Sequence, residues 1–343
     1  MTGPAEQPNS VLLARAQQGD GDAFRQMTGP YREELRIHCY RMLGSFHDAE
    51  DVVQDTLLAA WQSLSGFDGR RAGLRTWLYR IATNRCLNAR RAAGRRAAEE
   101  ANMPGLPEPT GLGEVLWLEP YPDARIQQGT GVHLGPEVYI EQQESVSLAF
   151  ITALQALPPR QVAVLVLREV LGFHATEVAE MLDSTVDAVN SLLKRARAAM
   201  RQHRRAHAGD QPAPAPDSPA EQRVVSAFVD AYQAGDIDRL VTLFTDDVFM
   251  WMPPLPFEYE GRDAVARLCA GIFGSGRRYD LIPTRANGQP AFATYIYTPT
   301  GIRHATSLIV LSLRNDRIAS ITRFDSGVLP WFGLPRTLPI SSK

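Results

Sequence analysis

The sequence predicts a multidomain chain: two all-α domains followed by an α+β domain whose helices cover a curved antiparallel sheet. Three observations predict it. Apolar residues recur at spacings of three and four over 9–98 and again over 145–207. Two proline-rich, poorly periodic stretches, 99–144 and 208–220, interrupt that pattern. After residue 221, helical stretches give way to β-type runs. The chain has 343 residues, 44% hydrophobic and 22% charged, which suits two or three globular domains with cores of their own.

The composition excludes several classes. No apolar run approaches the ~18 residues of a membrane span, and the N-terminus shows no signal-type apolar region, so the expectation is a cytoplasmic protein with no membrane partner. The three cysteines, Cys39, Cys86 and Cys269, are widely spaced and odd in number, which argues against a disulfide framework or a metal knuckle. Neither a metal nor a cofactor is expected. The formal net charge of -2 hides a segregation along the chain. Residues 1–98 carry 14 basic and 10 acidic side chains, residues 99–144 carry 1 and 9, and residues 145–207 carry 8 and 5. Two basic modules flanking an acidic connector fit a nucleic-acid partner.

In the first module, residues 44–60 hold Asp48, Glu50, Asp51 and Asp55 and no cation. Asp48, Asp51 and Asp55 share one helical face beside Gln54 and Leu58, while Val53, Leu57 and Trp61 pack on the other side. That stripe suits a basic helix of a protein partner, or is simply solvated. Residues 70–96 then hold nine arginines and no acid. Phe67, Trp77 and Tyr79 are interleaved with them. Cations alternating with stacking side chains suit partly single-stranded DNA. The loop Gly66-Phe-Asp-Gly69 could take a flipped base, although Trp77 and Tyr79 could equally be core.

The connector 99–144 contains six prolines and one aromatic-acidic island, Trp117-Leu-Glu-Pro-Tyr-Pro-Asp123. In the second module, Thr176 to Lys194 fits a helix-turn-helix. Val178, Ala179 and Leu182 face inward on its first helix. Asp183-Ser184-Thr185 supplies the turn and a capping hydroxyl. Val186, Val189, Leu193 and Ala196 face inward on its second helix. Asp187, Asn190, Ser191 and Lys194 face outward, where short polar groups can reach base edges in a major groove. Arg195, Arg197, Arg201, Arg204 and Arg205 follow as phosphate ligands. An amphipathic hairpin with a solvated basic end would show the same pattern.

The tether 208–220 alternates alanine and proline. Helical stretches follow at about 221–234, 236–244 and 262–273. Strand runs follow at Tyr279–Thr284, Ala291–Tyr297, Thr306–Leu313 and Ile318–Phe324, with another at Phe249–Met252.

Asp48-Ala-Glu-Asp-Val-Val-Gln-Asp-Thr56 with Leu74-Arg-Thr-Trp-Leu-Tyr-Arg-Ile-Ala-Thr-Asn84 resembles the region-two domain of bacterial extracytoplasmic-function (ECF) RNA polymerase sigma factors. Leu157-Pro-Pro-Arg-Gln161 with the helix-turn-helix resembles their region four. The C-terminal domain, through Phe228 to Tyr232, Ala234-Gly-Asp-Ile-Asp-Arg-Leu-Val-Thr-Leu-Phe-Thr-Asp-Asp247 and Tyr259-Glu-Gly-Arg-Asp-Ala-Val265, resembles the SnoaL-like cone shared with polyketide cyclases and ketosteroid isomerases. A subset of ECF sigma factors is similar over this whole arrangement, the linker island included.

The resemblance implies a division into region two (9–98), acidic linker (99–144), region four (145–207), tether (208–220) and cone (221–337). It implies that Asp48, Asp51, Gln54, Asp55 and Leu58 bind the clamp helices of the largest subunit of core RNA polymerase. Phe67, Asp68, Arg75, Trp77, Arg80, Asn84 and Arg91 would recognise and melt the minus-ten promoter DNA. Ser184, Thr185, Asp187, Asn190, Ser191, Lys194 and Arg195 would read the minus-thirty-five element. The acidic linker would thread toward the basic channel of the polymerase. Two features depart from the pattern: the linker is long, and Asp183 stands in a turn where many helix-turn-helices carry glycine.

Isomerases of the cone fold need a carboxylate base and an enolate-stabilising hydroxyl. Alignment on the shared segment puts Met252 and Phe228 at those positions, and neither can do that chemistry. Asp325 or Glu258 could serve a cyclase instead. A pocket for a small-molecule ligand is placed at Phe228, Tyr232, Met250, Met252 and Tyr295, residues that could equally be plain core. The expected function is transcription initiation, with the cone acting in cis and not as an enzyme. The alternatives are a cyclase or isomerase fused to a DNA-binding module, and a helix-turn-helix regulator that works without polymerase.

Overall fold

The computed structural model describes residues 7–70, 72–93, 107–112, 118–128, 145–207, 213–274, 276–299 and 301–339. Parts of the connector and tether, Trp117 among them, lie outside the described residues. The chain forms two compact units. One joins residues 1–96 with 125–204, and the other joins 97–124 with 205–343.

The first unit begins with helices α1 (Gln7–Gln17), α2 (Gly21–Thr28), α3 (Arg32–Leu43), α4 (Phe46–Ser63) and α5 (Leu74–Ala93). Local chemistry sets the boundaries. Asp20 caps α2 by accepting from the Asp22 and Ala23 N–H groups. Gly44, at φ 74°, ends α3, and Ser45 caps α4 by accepting from the Asp48 N–H. Gly44 also faces the second half of the unit: a Cβ there would lie 3.0 Å from Gln155 Nε2. Helices α3, α4 and α5 bury Leu35, Tyr40, Met42, Val53, Leu78, Tyr79 and Cys86 between them. His38 is fully buried in this core, 2.9 Å from Thr83 Oγ1. Burial, helped by the charges of Arg41 and Arg75, pulls its imidazole down to about 3, so it is neutral near pH 7.

The unit continues with α6 (Leu148–Gln155), α7 (Pro159–Leu165, running into a π-type turn at Val166–Val170), α8 (Ala175–Met181) and α9 (Val186–His207). Arginines of the first five helices fasten these to the core. Arg41 donates to the Ser145 carbonyl (3.2 Å) and to its hydroxyl. Arg90 donates to the carbonyls of Met42, Gln155 and Leu157 at 3.3–3.4 Å. Arg90 thereby satisfies carbonyls at the C-terminal ends of two helices.

In the second unit, α10 (Pro219–Ala234), α11 (Ile237–Thr242) and α12 (Arg262–Phe273) accompany strands β1 (Gly111–Leu112), β2 (Phe244–Trp251), β3 (Phe257–Glu260), β4 (Tyr279–Ala286), β5 (Gln289–Tyr297), β6 (Arg303–Arg314), β7 (Arg317–Asp325) and β8 (Thr337–Leu338). The sheet order is β1-β3-β2-β7-β6-β5-β4, with β8 on β6. The helices bury Phe228, Leu240, Val265 and Leu268 against Phe244, Phe292, Ile309, Leu311 and Ile321. The sheet is mixed where the sequence suggested an antiparallel one. The pairing of β2 with β7 is parallel, and the others are antiparallel. Side-chain alternation reports which face a residue occupies, not the direction of the neighbouring strand.

The β4–β5 hairpin turns through Asn287 (φ 58°) and Gly288 (φ 73°), with Ala286 paired to Gln289. Both turn residues need positive φ, which Asn-Gly supplies. Part of the segment read as a connector belongs to this unit. The Thr110 N–H donates to the Glu258 carbonyl (2.9 Å), and Gly111 and Leu112 pair with Glu258 and Phe257. The Tyr259 hydroxyl donates to the Pro107 carbonyl (2.9 Å). Further along, Leu118 and Tyr121 are buried and Pro122 bridges Ala286.

Candidate nucleic-acid interface

Helix α4 presents its acidic stripe outward. Asp51, Gln54, Asp55 and Leu58 are exposed and Asp48 is half-buried, while Ala49, Val52, Val53, Thr56 and Ala60 are buried. Leu58 is 55% exposed, a large apolar group kept in solvent one helical turn beyond Asp55. Asp55 lies 3.5 Å from Arg85, and Asp51 lies 3.7 Å from His47. At this exposure such pairs contribute little stability.

The cationic helix α5 divides its aromatics between core and surface. Tyr79 is core: it is fully buried, its ring lies 5.2 Å from Phe173, and its hydroxyl donates to Glu34 at 3.4 Å. Trp77 is half-buried and stacks on Phe67 with centroids 4.5 Å apart. Asp68 is exposed, and its carboxylate accepts from the Arg70 N–H at 3.0 Å. That Asx-type turn shapes the loop.

The second helix of the helix-turn-helix, α9, buries Val189, Leu193, Ala196 and Met200. Thr185, Asp187, Asn190, Ser191, Lys194 and Arg195 are exposed on the other side, and Ser184 is half-buried. Thr185 caps the helix by accepting from the Ala188 N–H at 3.2 Å. Asp183 takes φ 46°, the left-handed position that glycine often fills, and the Ser184 N–H closes the turn on the Ala179 carbonyl at 2.9 Å. Aspartate tolerates that conformation, so the departure from glycine leaves the motif intact. Val186, expected to face inward, is 36% exposed because it starts the helix before the inner face is established.

The face of α5 that carries Arg75, Thr76, Arg80 and Asn84 packs against this same module. The Arg75 guanidinium sits 4.7 Å over the Phe173 ring. Thr76 Oγ1 donates to Glu177 (3.2 Å), Arg80 pairs with Asp183 (3.3 Å), and Asn84 Nδ2 donates to the Met181 carbonyl (3.2 Å). Arg160 holds the turn from behind, donating to the Leu182 carbonyl at 2.7 Å. Arg91, about two helical turns beyond Asn84, is exposed.

Residues 29–96 match the Sigma-70 region 2 family, residues 147–200 match Sigma-70, region 4, and residues 225–321 match the SnoaL-like domain. Over 334 residues the sequence is 43% identical to the ECF RNA polymerase sigma factor SigG of Mycobacterium tuberculosis, covering 92% of this chain and 85% of that one. The chain belongs to the ECF sigma factors. SigJ of the same organism is 30% identical over 249 residues, 70% of each protein. The crystal structure of Mycobacterium tuberculosis SigJ has a similar fold, with a TM-score of 0.58 at 21% identity over 89% of this chain and 97% of that one. The partners of this sigma factor are therefore core RNA polymerase and promoter DNA, and its sigma modules are not an enzyme. No helix among the described residues is long and apolar enough to cross a membrane.

In the cone, Phe228, Tyr232 and Met250 line a cavity of about 10 Å³ with Leu240, Phe244 and Arg323. That is room for about one water. Met252 and Tyr295 do not line it. Met252 is buried in the core just beyond β2, and Tyr295 points to the opposite sheet face, where its hydroxyl donates to the Pro335 carbonyl at 2.8 Å. Neighbours on a strand face opposite sides, and Phe292 and Thr294 hold the inner face.

Sequence reasoning missed Asn287. Its carboxamide oxygen accepts from the Tyr121 N–H (2.8 Å), and its own N–H donates to the Tyr121 carbonyl (2.9 Å). The Asn-Gly pair between two strand runs was the available signal.

Proposed function

We propose that this sigma factor directs core polymerase to its promoters through the three surfaces described, and that the structure is its closed, DNA-incompetent form. The observation that carries the reading is the occupation of α5. Arg75 and Asn84 cannot reach minus-ten bases while Phe173 and the Met181 carbonyl engage them, whereas Arg80 stays exposed beside Asp183. Opening frees the α5 face, whereas the outward face of α9 is already exposed. The exposed acidic stripe of α4 is available in the closed form, so polymerase binding can precede and drive opening.

The cone acts in cis as a regulator and not as a catalyst. Met252 and Phe228 stand where isomerases carry their base and hydroxyl. The other carboxylates hold structural posts. Asp325 caps the segment after β7 by accepting from the Gly327 N–H (2.8 Å), and Glu258 enters the β1–β3 pairing through its backbone at the sheet edge. A cavity of about 10 Å³ fits neither substrate nor ligand without rearrangement.

The test is promoter-specific transcription with core polymerase, comparing the full chain with residues 1–207 and with the Asp51→Arg/Asp55→Arg double variant. Specific initiation that the double variant loses supports the reading, and the truncation gives the sign of the cone's effect. Initiation unaffected by the double variant would remove the clamp-helix assignment. Absence of initiation and of core binding by folded protein would favour a plain DNA-binding regulator.

A further inference from the structure

One arginine in the cone unit receives both chain segments that border region four. Arg285 lies near the end of β4, at the Asn287–Gly288 hairpin. Its guanidinium contacts Glu221 through two nitrogens (2.9 and 3.3 Å), Asp217 at 3.2 Å and Asp123 at 3.6 Å, and it donates to the Gly288 carbonyl at 3.1 Å. Asp123 belongs to the segment leading into region four. Asp217 and Glu221 belong to the segment leading out of it.

Each segment is built to fit this spot. Asp123 Oδ1 accepts from the Gly288 N–H (2.8 Å), and Tyr121 exchanges backbone and side-chain bonds with the buried Asn287. On the outgoing side, the Asp217 N–H donates to Glu221 Oε2 (2.7 Å), and Ser218 caps α10. The side chains of Asp123 and Glu221 are only 5% and 6% exposed. Three carboxylates thus converge on one cation. Without Arg285 two buried carboxylates would lose their counter-charge, and undocking would be their route back to water.

We propose that Arg285 is a clasp that fastens the incoming stem (Tyr121–Asp123) and the outgoing stem (Asp217–Glu221) of region four to one hairpin of the cone, and that opening it releases the connector. The release step rests on the cis-regulatory reading above, whereas the clasp itself does not. While it is closed, residues 107–112 and 118–123 are held on the cone, and the 17 residues from 107 to 123 cannot lengthen the path between regions two and four. Once freed, those residues add up to roughly 55–60 Å of extended chain. That is added reach over which the two DNA readers can separate.

The test uses the full chain with nitroxide labels on Ala124→Cys and Ala215→Cys, both exposed sites; Cys39, Cys86 and Cys269 are buried. In the otherwise unmodified protein the label separation should be short and narrowly distributed. A long or broad distribution there overturns the clasp without further mutation. Arg285→Gln should broaden it, and hydrogen exchange should rise tenfold or more at both 118–123 and 216–221 while β6 and β7 keep their protection. Faster exchange at one stem alone would show that the stems are independent. Faster exchange throughout the sheet would show that Arg285 merely supports the cone. Either result rejects the clasp. Adding core polymerase to the labelled protein should broaden the separation. Binding with the short distance unchanged rejects the release step. Failure to bind core rejects the sigma-subunit reading and the release step with it, while the label distances still judge the clasp.

Discussion

Acidification should tighten the docking of the connector on the cone, and Asp123→Asn should abolish that response. Asp123 is 4% exposed, and burial pushes its carboxyl from 3.8 up to about 6 despite the Gly288 N–H and Arg285; Asp217 adds to the rise. Besides these, Glu221 is the other charged group at the node. An acid with a raised pKa binds its proton more tightly when docked. Docking is therefore favoured below about pH 6 and loses that contribution as pH rises through it. The whole difference between the two pKa values is worth about 3 kcal/mol. Between pH 7.5 and 5.5 the part realised is about 0.8 kcal/mol, roughly a fourfold shift toward the docked form. The assay is native-state hydrogen exchange in the full chain at the Tyr121, Asn287 and Gly288 amides, corrected for the intrinsic pH dependence of exchange. Their opening free energy should rise by about that amount on acidification, and amides of β6 should not follow. A flat response in the unmodified protein, or a response that survives Asp123→Asn, would refute the argument that burial of this carboxyl outweighs its arginine.

Other expectations concern the helical unit and the cone core. Asp183→Asn should leave the closed packing nearly unchanged, because its pair with Arg80 is solvent-exposed and worth less than about 0.5 kcal/mol; Asp183→Val should destabilise the turn by about 1–2 kcal/mol, since φ 46° disfavours a β-branched residue, as denaturant titration would measure. Gly44→Ala should lower the melting temperature by combining left-handed strain with a clash on Gln155, and Gln155→Ala should recover part of the loss. Arg201→Ala, at an exposed phosphate ligand, should weaken promoter binding at every site and reduce the slope of log affinity against log salt by about one. Phe228→Ala should cost the cone about 3–5 kcal/mol, seen as early unfolding of that unit in calorimetry.

The sequence signals that worked were those with a long period. The strand runs at Tyr279, Ala291, Thr306 and Ile318 all fall inside observed strands, and the helix-turn-helix follows the spacing of Val189, Leu193 and Ala196. The acidic stripe was legible because α4 is long enough to separate its faces. The signals that failed were short or non-local. A two-residue strand such as Gly111–Leu112 has no period to detect, and it docks through backbone groups that any sequence carries. The attachment of Asp123 depends on Arg285, which lies 162 positions away and is invisible to local pattern. Occupation of α5 by Phe173 and Met181 is likewise a tertiary event. In the pocket, period-two alternation along β5 separates Tyr295 from Phe292.

The pairing of Thr110–Leu112 with β3 also decides what the cone exposes when the connector departs. It leaves Phe257–Glu260 as a bare sheet edge, with unsatisfied amides and carbonyls that could template pairing with another chain. The strand is only four residues long and carries Glu258 and Glu260, so two such edges meeting would bring like charges together. An opened molecule is thereby guarded against self-association. The same charges leave the edge open to an uncharged extended segment such as Thr110–Leu112 of its own connector.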